Sequence, residues 1–314
     1  MSDRSHVQVT QGQRLDQALL EAWPDLGRLE IRQLIQEGAV LVNGQPARKA
    51  GQYVEIGDLL DVAVPEAASE NVVGVQPPSL IPDLAIVYAD EVVLVVDKPA
   101  CLPIYPSRRH RDVPTLAQQL YEYAPDLAHV GGAERAGIVQ QLDAESSGLV
   151  LVARTKAAYR TLQREVKRQR VIRRFSVLVE GEASGTEVIE APLGSASHER
   201  GRTIIAREGR PARTAYRVLR RYRDQTRTYS LLEVTPEGSR RHQIRAHLAW
   251  YGYPVVGDRW YGSRFQPLLD YRLFLHLSRL EFPHPETATI QPVESQLPAD
   301  LQGILRYLTR PKSS

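Results

Sequence analysis

Asp143 is the side chain of this sequence best placed to do chemistry. It lies in Gln140-Gln141-Leu142-Asp143-Ala144-Glu145-Ser146-Ser147-Gly148, a polar turn that runs straight into the apolar stretch Leu149-Val150-Leu151-Val152. An acid there has no packing role. It reads either as a turn aspartate bonding the backbone near Ser146 or as a reactive carboxylate. A second constellation is Ser239-Arg240-Arg241-His242-Gln243-Ile244-Arg245-Ala246-His247-Leu248. Ser239 is expected to cap a helix, which puts Arg240 in the first turn. A cation there opposes the helix dipole unless an anion lies close by, so Arg240 reads either as a surface arginine solvating the helix start or as one with a local anionic partner. His242 and His247 read as packing or backbone-bonding residues. Lys98, ahead of Pro99, reads either as a phosphate contact or as a solvent-exposed lysine.

These groups need elements to position them. Strand-like runs occur at Val92 to Asp97, Leu149 to Ala153, Phe175 to Glu180 and Tyr229 to Val234. Helices are expected to start near Pro114, near Thr155 with its hydroxyl as cap, and at Ser239. Hairpins interrupted by helices indicate an α+β sheet domain, not a doubly wound one. This larger unit is expected to span 83–308. Ahead of it, residues 13–64 read as a separate small unit. Leu15, Leu19 and Leu20 have helical spacing with Asp16 in the first turn, and Leu29, Ile31, Leu34 and Ile35 mark a second helix stopped by Gly38. Val40-Leu41-Val42, Asn43-Gly44 and Gln45-Pro46-Ala47 make a hairpin around an Asn-Gly turn. Residues 65–82, with Pro77-Pro78, read as a linker, and the Arg310-Pro311-Lys312-Ser313-Ser314 tail as disordered.

Composition narrows the function classes. With 314 residues, 42% hydrophobic and 25% charged, the chain reads as an ordinary globular protein of about two domains. No apolar run reaches the ~18 residues of a membrane span, and Met1 to His6 lacks the apolar core of a secretory signal. The lone Cys101 offers no internal disulfide, so a cytoplasmic protein is expected. There is no Walker loop, no G-x-G-x-x-G run and no metal-ligand cluster; neither cofactor nor metal is expected. The net charge is only +3, but arginines crowd between Arg200 and Arg227, and again at Arg164, Lys167, Arg168, Arg170, Arg173 and Arg174. Two such clusters flanking one candidate site favour RNA as partner, through the phosphate backbone.

The Asp143 segment resembles the H-R-L-D-x-x-T-S-G signature of the RluA-type RNA pseudouridine synthases, with Leu142, Asp143, Ser147 and Gly148 in register. Ile86 to Pro99 resembles the hairpin that opens their catalytic domain, and Ser239 to Leu248 their G-R-T-H-Q-I-R-x-H-L helix. Tyr253 to Asp258, Tyr261-Gly262 and Arg272-Leu273-Phe274-Leu275-His276 follow in the family's order. The N-terminal unit is similar to S4-like RNA-binding domains, through Arg14-Leu15-Asp16, Val40 to Gly44 and Gly57-Asp58.

The resemblance implies a cofactor-free isomerase, with a largely antiparallel mixed sheet flanked by helices. Asp143 would carry the reaction and Arg240 would pair with it. Phe175 stands where the family has a stacking tyrosine; it can stack on uracil but has no hydroxyl to move a proton. Gln141 replaces an arginine beside the flipped base, and Gln140 a histidine. Arg28, Arg32, Arg48 and Lys49 would hold RNA in the N-terminal unit, and Lys98, Arg173 and Arg174 in the catalytic one. Large-subunit rRNA is favoured over tRNA as substrate, and a monomer is expected. The rival reading is an RNA-binding homologue that lost turnover, favoured by Gln141 and Phe175. A nucleoside enzyme acting on free uridine would leave the N-terminal unit without a task.

Overall fold

β-Branched runs dominate the strand-forming segments and set the architecture. The computed structural model describes residues 5–22, 35, 38–47, 49, 51–62, 84–106, 113–132, 135–196, 201–224, 227–263 and 266–310. Two units result, residues 1–71 and 72–314. The expected second helix (apart from Ile35, which is helical and buried), residues 65–82, Arg28, Arg32, Arg48 and the tail after Arg310 lie outside the described residues.

In the first unit, strands β1 (Ser5–Gln8), β3 (Val40–Val42), β4 (Gln45–Pro46) and β6 (Leu59–Val62) form an antiparallel sheet in the order β1-β6-β3-β4. Strands β2 (Gln13–Arg14) and β5 (Tyr53–Val54) pair separately, with helix α1 (Leu15–Ala22) between β2 and β3 in the chain. Leu15, Leu19, Ile35, Val40, Val54, Leu60 and Val62 form its core. At the expected hairpin turn, Asn43 and Gly44 both have positive φ, 52° and 78°, as such a turn demands. The Asn43 side chain locks it, accepting from Leu59 N and donating to Asp58 Oδ1, each at 2.8 Å.

The second unit holds β7 (Ile86–Ala89), β8 (Val93–Lys98), α2 (Leu116–Tyr123), β9 (Ser147–Ala153), α3 (Lys156–Lys167), β10 (Ile172–Glu180), β11 (Thr186–Glu190), β12 (Leu193–Ser195), β13 (Thr203–Ile205), β14 (Arg213–Arg223), β15 (Thr228–Glu237), α4 (Gln243–Trp250), β16 (Leu275–Pro283), β17 (Ile290–Glu294) and α5 (Ala299–Thr309). Its nine-stranded sheet runs β11-β14-β15-β10-β16-β9-β8-β7, with β17 added on β16. All pairings are antiparallel except β16 with β9. β12 and β13 form a separate hairpin. This is the mixed, largely antiparallel α+β fold that the sequence indicated.

Every residue of β9 is buried, which explains its unbroken apolar run: a strand covered on both faces loses the polar alternation of a surface strand. Gly148 permits the one parallel pairing. Its φ is 118°, and a Cβ there would stand 2.4 Å from the Leu277 carbonyl oxygen. Thr115 caps α2 in a reciprocal box with Gln118, and Thr155 caps α3 by accepting from Ala158 N. The third cap differs from expectation. α4 begins at Gln243 after His242, whose φ of 50° is left-handed, and no side chain caps it. Ser239 lies in the preceding loop, where its hydroxyl accepts from Arg173 Nη1 at 2.8 Å.

Candidate active site

The turn between Gln140 and Ser147 is braced from below, which frees its carboxylate. Gln140 acts as an extra rung on β9: its Nε2 donates to Leu149 O at 3.1 Å and its Oε1 accepts from Leu151 N at 3.0 Å. Ser146 closes the turn on the main chain of Asp143, donating from N and Oγ to the Asp143 carbonyl at 3.2 and 2.9 Å. The backbone carbonyl therefore does the bonding that an ordinary turn aspartate does with its side chain.

Lys98 supplies the second brace. It was expected to contact RNA, yet it is only 1% exposed. Its Nζ donates to the carbonyls of Pro99, Leu102, Ala144 and Ser146 at 2.6 to 3.1 Å. Two of those carbonyls belong to the Asp143 turn, so Lys98 fastens the end of β8 to it. Burial, with the Arg272 charge adding to it, pushes the ammonium down to about 7. The carbonyls pull the other way, since an ammonium satisfies them with three protons and an amine with two.

The Asp143 carboxylate points into an open pocket and takes its cation from Arg245, not from Arg240 as expected. Arg245 Nη1 donates to Asp143 Oδ2 at 3.0 Å. The rest of the guanidinium forks onto Asp258, with Nε to Oδ2 at 2.6 Å and Nη2 to Oδ1 at 2.9 Å. Asp258 is fully buried, and its Oδ1 also accepts from Trp260 N and Tyr261 N. Burial works against the guanidinium charge, but the Asp258 hydrogen bonds and the Asp143 charge outweigh it and raise Arg245 above its ordinary range. Its face also lies over Tyr261, 5.1 Å from the ring centre. A bidentate fork held from behind leaves Arg245 one direction in which to present its remaining N–H groups.

His242 flanks the pair, with Nε2 3.8 Å from Asp143 Oδ1. Arg241 Nε donates to that Nε2, and His242 Nδ1 meets the Tyr261 hydroxyl at 3.0 Å. Burial lowers His242, with neighbouring charges acting in both directions, and the hydrogen bonds fit the neutral Nδ1-protonated ring. His247 bonds Thr214 Oγ1 and Ala191 O away from the pocket. Gln243 donates to Arg213 O, Thr214 Oγ1 and Glu237 O, tying the start of α4 to β14 and β15.

The buried Phe175, Ile244 and Leu275 form the base of this pocket, which measures about 430 Å³ counted out to its open mouth. A β-bulge between Arg174 and Phe175 sets the strand register there. The exposed Gln141, Ser239 and Arg240 stand at the mouth. Arg240 has no ion-pair partner among the described residues; its backbone N–H is held by Gln243 Oε1 at 3.2 Å. Arg173 is wedged against Gly238 O and Ser239, and burial pushes it down to about 10. Arg174 pairs with Glu281 at 2.6 Å, so its charge is engaged inside the fold. Lys49 is exposed in the first unit.

The arginine-rich stretch is partly neutralised across the sheet. Arg213 reaches Glu190 and Glu237, Arg217 reaches Glu233, and Arg227 reaches Glu180. Among the described residues no group of three or more His, Cys, Asp or Glu side chains is arranged to hold a metal ion. No helix among them is long and apolar enough to cross a membrane.

Comparison with known proteins identifies the family. Residues 92–250 match the RNA pseudouridylate synthase family and residues 13–60 the S4 domain. An uncharacterized RNA pseudouridine synthase of Chloroflexus aurantiacus is 40% identical over 296 residues, 94% of this chain and 90% of that one. Ribosomal large subunit pseudouridine synthase D of Pseudomonas aeruginosa is 35% identical over 315 residues, 96% of this chain and 94% of that one. Human RNA pseudouridylate synthase domain containing 1 superposes with a TM-score of 0.56 at 26% identity, covering 76% of this chain and 100% of that one. On the family match and on relatives covered over nearly their whole length, the chain belongs to the RluA-type RNA pseudouridine synthases, isomerases of uridine in RNA, and carries an S4 domain.

Proposed function

We propose that this protein converts a uridine of large-subunit ribosomal RNA to pseudouridine, with Asp143 as the reacting carboxylate and Arg245 as the residue that orients it. The observation that carries this reading is the aim of Asp143: its turn is closed by other groups, and its carboxylate faces an open pocket from the tip of a buried arginine fork. The name of the Pseudomonas relative supports ribosomal RNA as the substrate class.

The target nucleotide must first leave its stack, at a cost of a few kcal/mol that RNA contacts offset. Phe175, Ile244 and Leu275 then give the uracil an apolar bed, with Phe175 as the aromatic face. Asp143 faces the sugar C1′ as the C1′–N1 bond breaks and uracil departs with the electron pair. The base turns, C1′ bonds to C5, the C5 proton is lost and N1 gains one, so composition is unchanged. Arg245 keeps the Asp143 carboxylate aimed throughout. Arg240, exposed at the mouth, meets a phosphate, and Gln141 occupies space beside the everted nucleotide. Lys49 contributes to RNA binding in the S4 domain.

The test is incubation of the full chain with large-subunit rRNA transcripts, followed by pseudouridine mapping. A discrete modified position with wild type and none with Asp143→Asn is expected. Conversion that persists in Asp143→Asn overturns the assignment of Asp143. Salt-sensitive RNA binding without any product overturns the catalytic reading and leaves a binding homologue.

A further inference from the structure

A second cavity opens beside the Asp143 pocket and shares Arg173, Pro236 and Gly238 with it. It lies between the end of α3, the start of β10 and the end of β15, and opens to solvent. Nothing in the reaction described above uses it. The Arg173 guanidinium, bonded to Gly238 O and Ser239 Oγ, stands as a fixed partition between the two spaces.

Its chemistry has three parts. Val166, Val171, Ile172 and Pro236 give it apolar walls, and Ile172 is 37% exposed there, a large aliphatic surface left open to solvent. Gln140, Gln169, Thr235 and Glu237 also line it, and the side chains of Gln169 and Thr235 have no hydrogen-bond partner among the described residues. Finally, the adjoining last turn of α3 and the loop after it carry Arg164, Lys167, Arg168 and Arg170; Arg168 and Arg170 share the single carboxylate of Glu165. Apolar walls, a few free donors and acceptors at one edge, and an excess of positive charge outside describe a site for a flat, polar-edged ring on a phosphate backbone.

We propose that this cavity receives the base of the nucleotide adjacent to the target uridine on the same strand. The inference rests on the Asp143 pocket taking an everted uridine. Removing one nucleotide from a stack leaves its neighbour without a partner on that side, and a pocket one partition away offers that neighbour a replacement surface. Arg173 separates the two bases, Ile172 and Pro236 sandwich the neighbour, and Gln169 with Thr235 bond its edge. The cavity therefore helps select the sequence next to the modified position.

The experiment measures equilibrium binding of the full chain to a large-subunit rRNA hairpin. The hairpin is one in which wild type converts a uridine or, if none is converted, the one it binds most tightly. Each nucleotide next to the target (or next to each unpaired uridine) is made abasic in turn. One abasic position is expected to weaken wild-type binding about 5- to 160-fold, the range for loss of one stacked base. Ile172→Trp, which fills the cavity from an exposed position, is expected to weaken binding of intact RNA to a similar degree and to abolish the further loss from that abasic position. Thr235→Val, which keeps shape and removes the hydroxyl, is expected to show a smaller loss that depends on which base occupies the position. If Ile172→Trp and the abasic change weaken binding independently, or if neither matters, the cavity holds no base and the inference is overturned. Absence of product with wild type sinks the proposed function alone, since this readout requires no turnover.

Discussion

Replacing Arg245 by methionine tests the arrangement of the site most directly. The change keeps length and apolar bulk while removing the cation that touches both Asp143 and Asp258. The Arg245 side chain is 6% exposed and that of Asp258 0%, so an uncompensated carboxylate is left in the interior. Breaking a buried pair by deleting one partner costs about 3–5 kcal/mol. Asp258 retains the Trp260 and Tyr261 N–H groups, which places the expected loss near the lower end, about 3 kcal/mol. Urea unfolding reads that loss. Turnover should fall further than stability explains: under conditions where the variant remains folded, the single-turnover rate of pseudouridine formation is expected to drop about 10²-fold or more, because the carboxylate loses its aim. Arg245→Lys keeps a charge but serves one carboxylate at a time, and should recover part of the stability and little of the rate. Arg240→Met is the contrast, with stability changed by no more than ~0.5 kcal/mol and the defect confined to RNA affinity. Wild-type turnover in Arg245→Met, or abolished turnover at saturating RNA in Arg240→Met, would refute the assignment of Arg245 as the partner of Asp143.

Lys98→Met should leave four carbonyls without their donor and destabilise the unit by about 3 kcal/mol or more; the salt dependence of RNA binding should keep its slope, since Lys98 meets no phosphate. His276 is held down to about 4 by burial, with the Arg272 charge acting in the same direction. The unfolded chain therefore binds a proton that the folded chain refuses between about 6.5 and 4. Stability should be fully present above pH 6.5 and fall as the pH drops through that window, by on the order of 3 kcal/mol at its lower end. His276→Gln should flatten the decline in urea titrations at stepped pH. Gly148→Ala is expected to yield insoluble or unfolded chain by circular dichroism, because the added methyl meets the Leu277 backbone.

Much of the fold and site was legible in the sequence for identifiable reasons. The β8 and β9 runs are apolar because both faces are covered, and Thr115 and Thr155 cap helices by local bonding that no distant contact overrides. Asp143 stood out because the segment around it resembles a family signature; taken alone it also read as a turn aspartate. The errors fell where long-range contacts decide. Arg240 looked like the partner because helix α4 was expected to be capped three residues early, at Ser239; the left-handed His242 moves the true start to Gln243 and turns Arg245 inward. The signal that could have identified Arg245 is Asp258, an acid after Gly257 and two residues ahead of the aromatic pair Trp260-Tyr261, which needs a buried cation. Lys98 looked exposed because Pro99 follows it, yet it ends a strand whose other members are almost all buried. Its acceptors, 46 and 48 residues away at Ala144 and Ser146, leave no local trace. The neutral role of Gln140, rung-like against β9, was equally invisible as a departure from a family motif.

The single parallel pairing, β9 beside β16, also bears on when the molecule becomes competent during its own synthesis. The catalytic turn meets its arginine across 102 residues and its strand meets His276 across 129. Contacts so distant are formed only after considerable chain entropy has been surrendered. A ribosome that has released residues up to Trp250 has delivered both charged partners but not the strand that holds the turn from the other side. Missing too at that length is Asp258, which forks onto the guanidinium. The pocket around Asp143 is therefore completed late, when β16 pairs beside Gly148 and Leu275 closes its base.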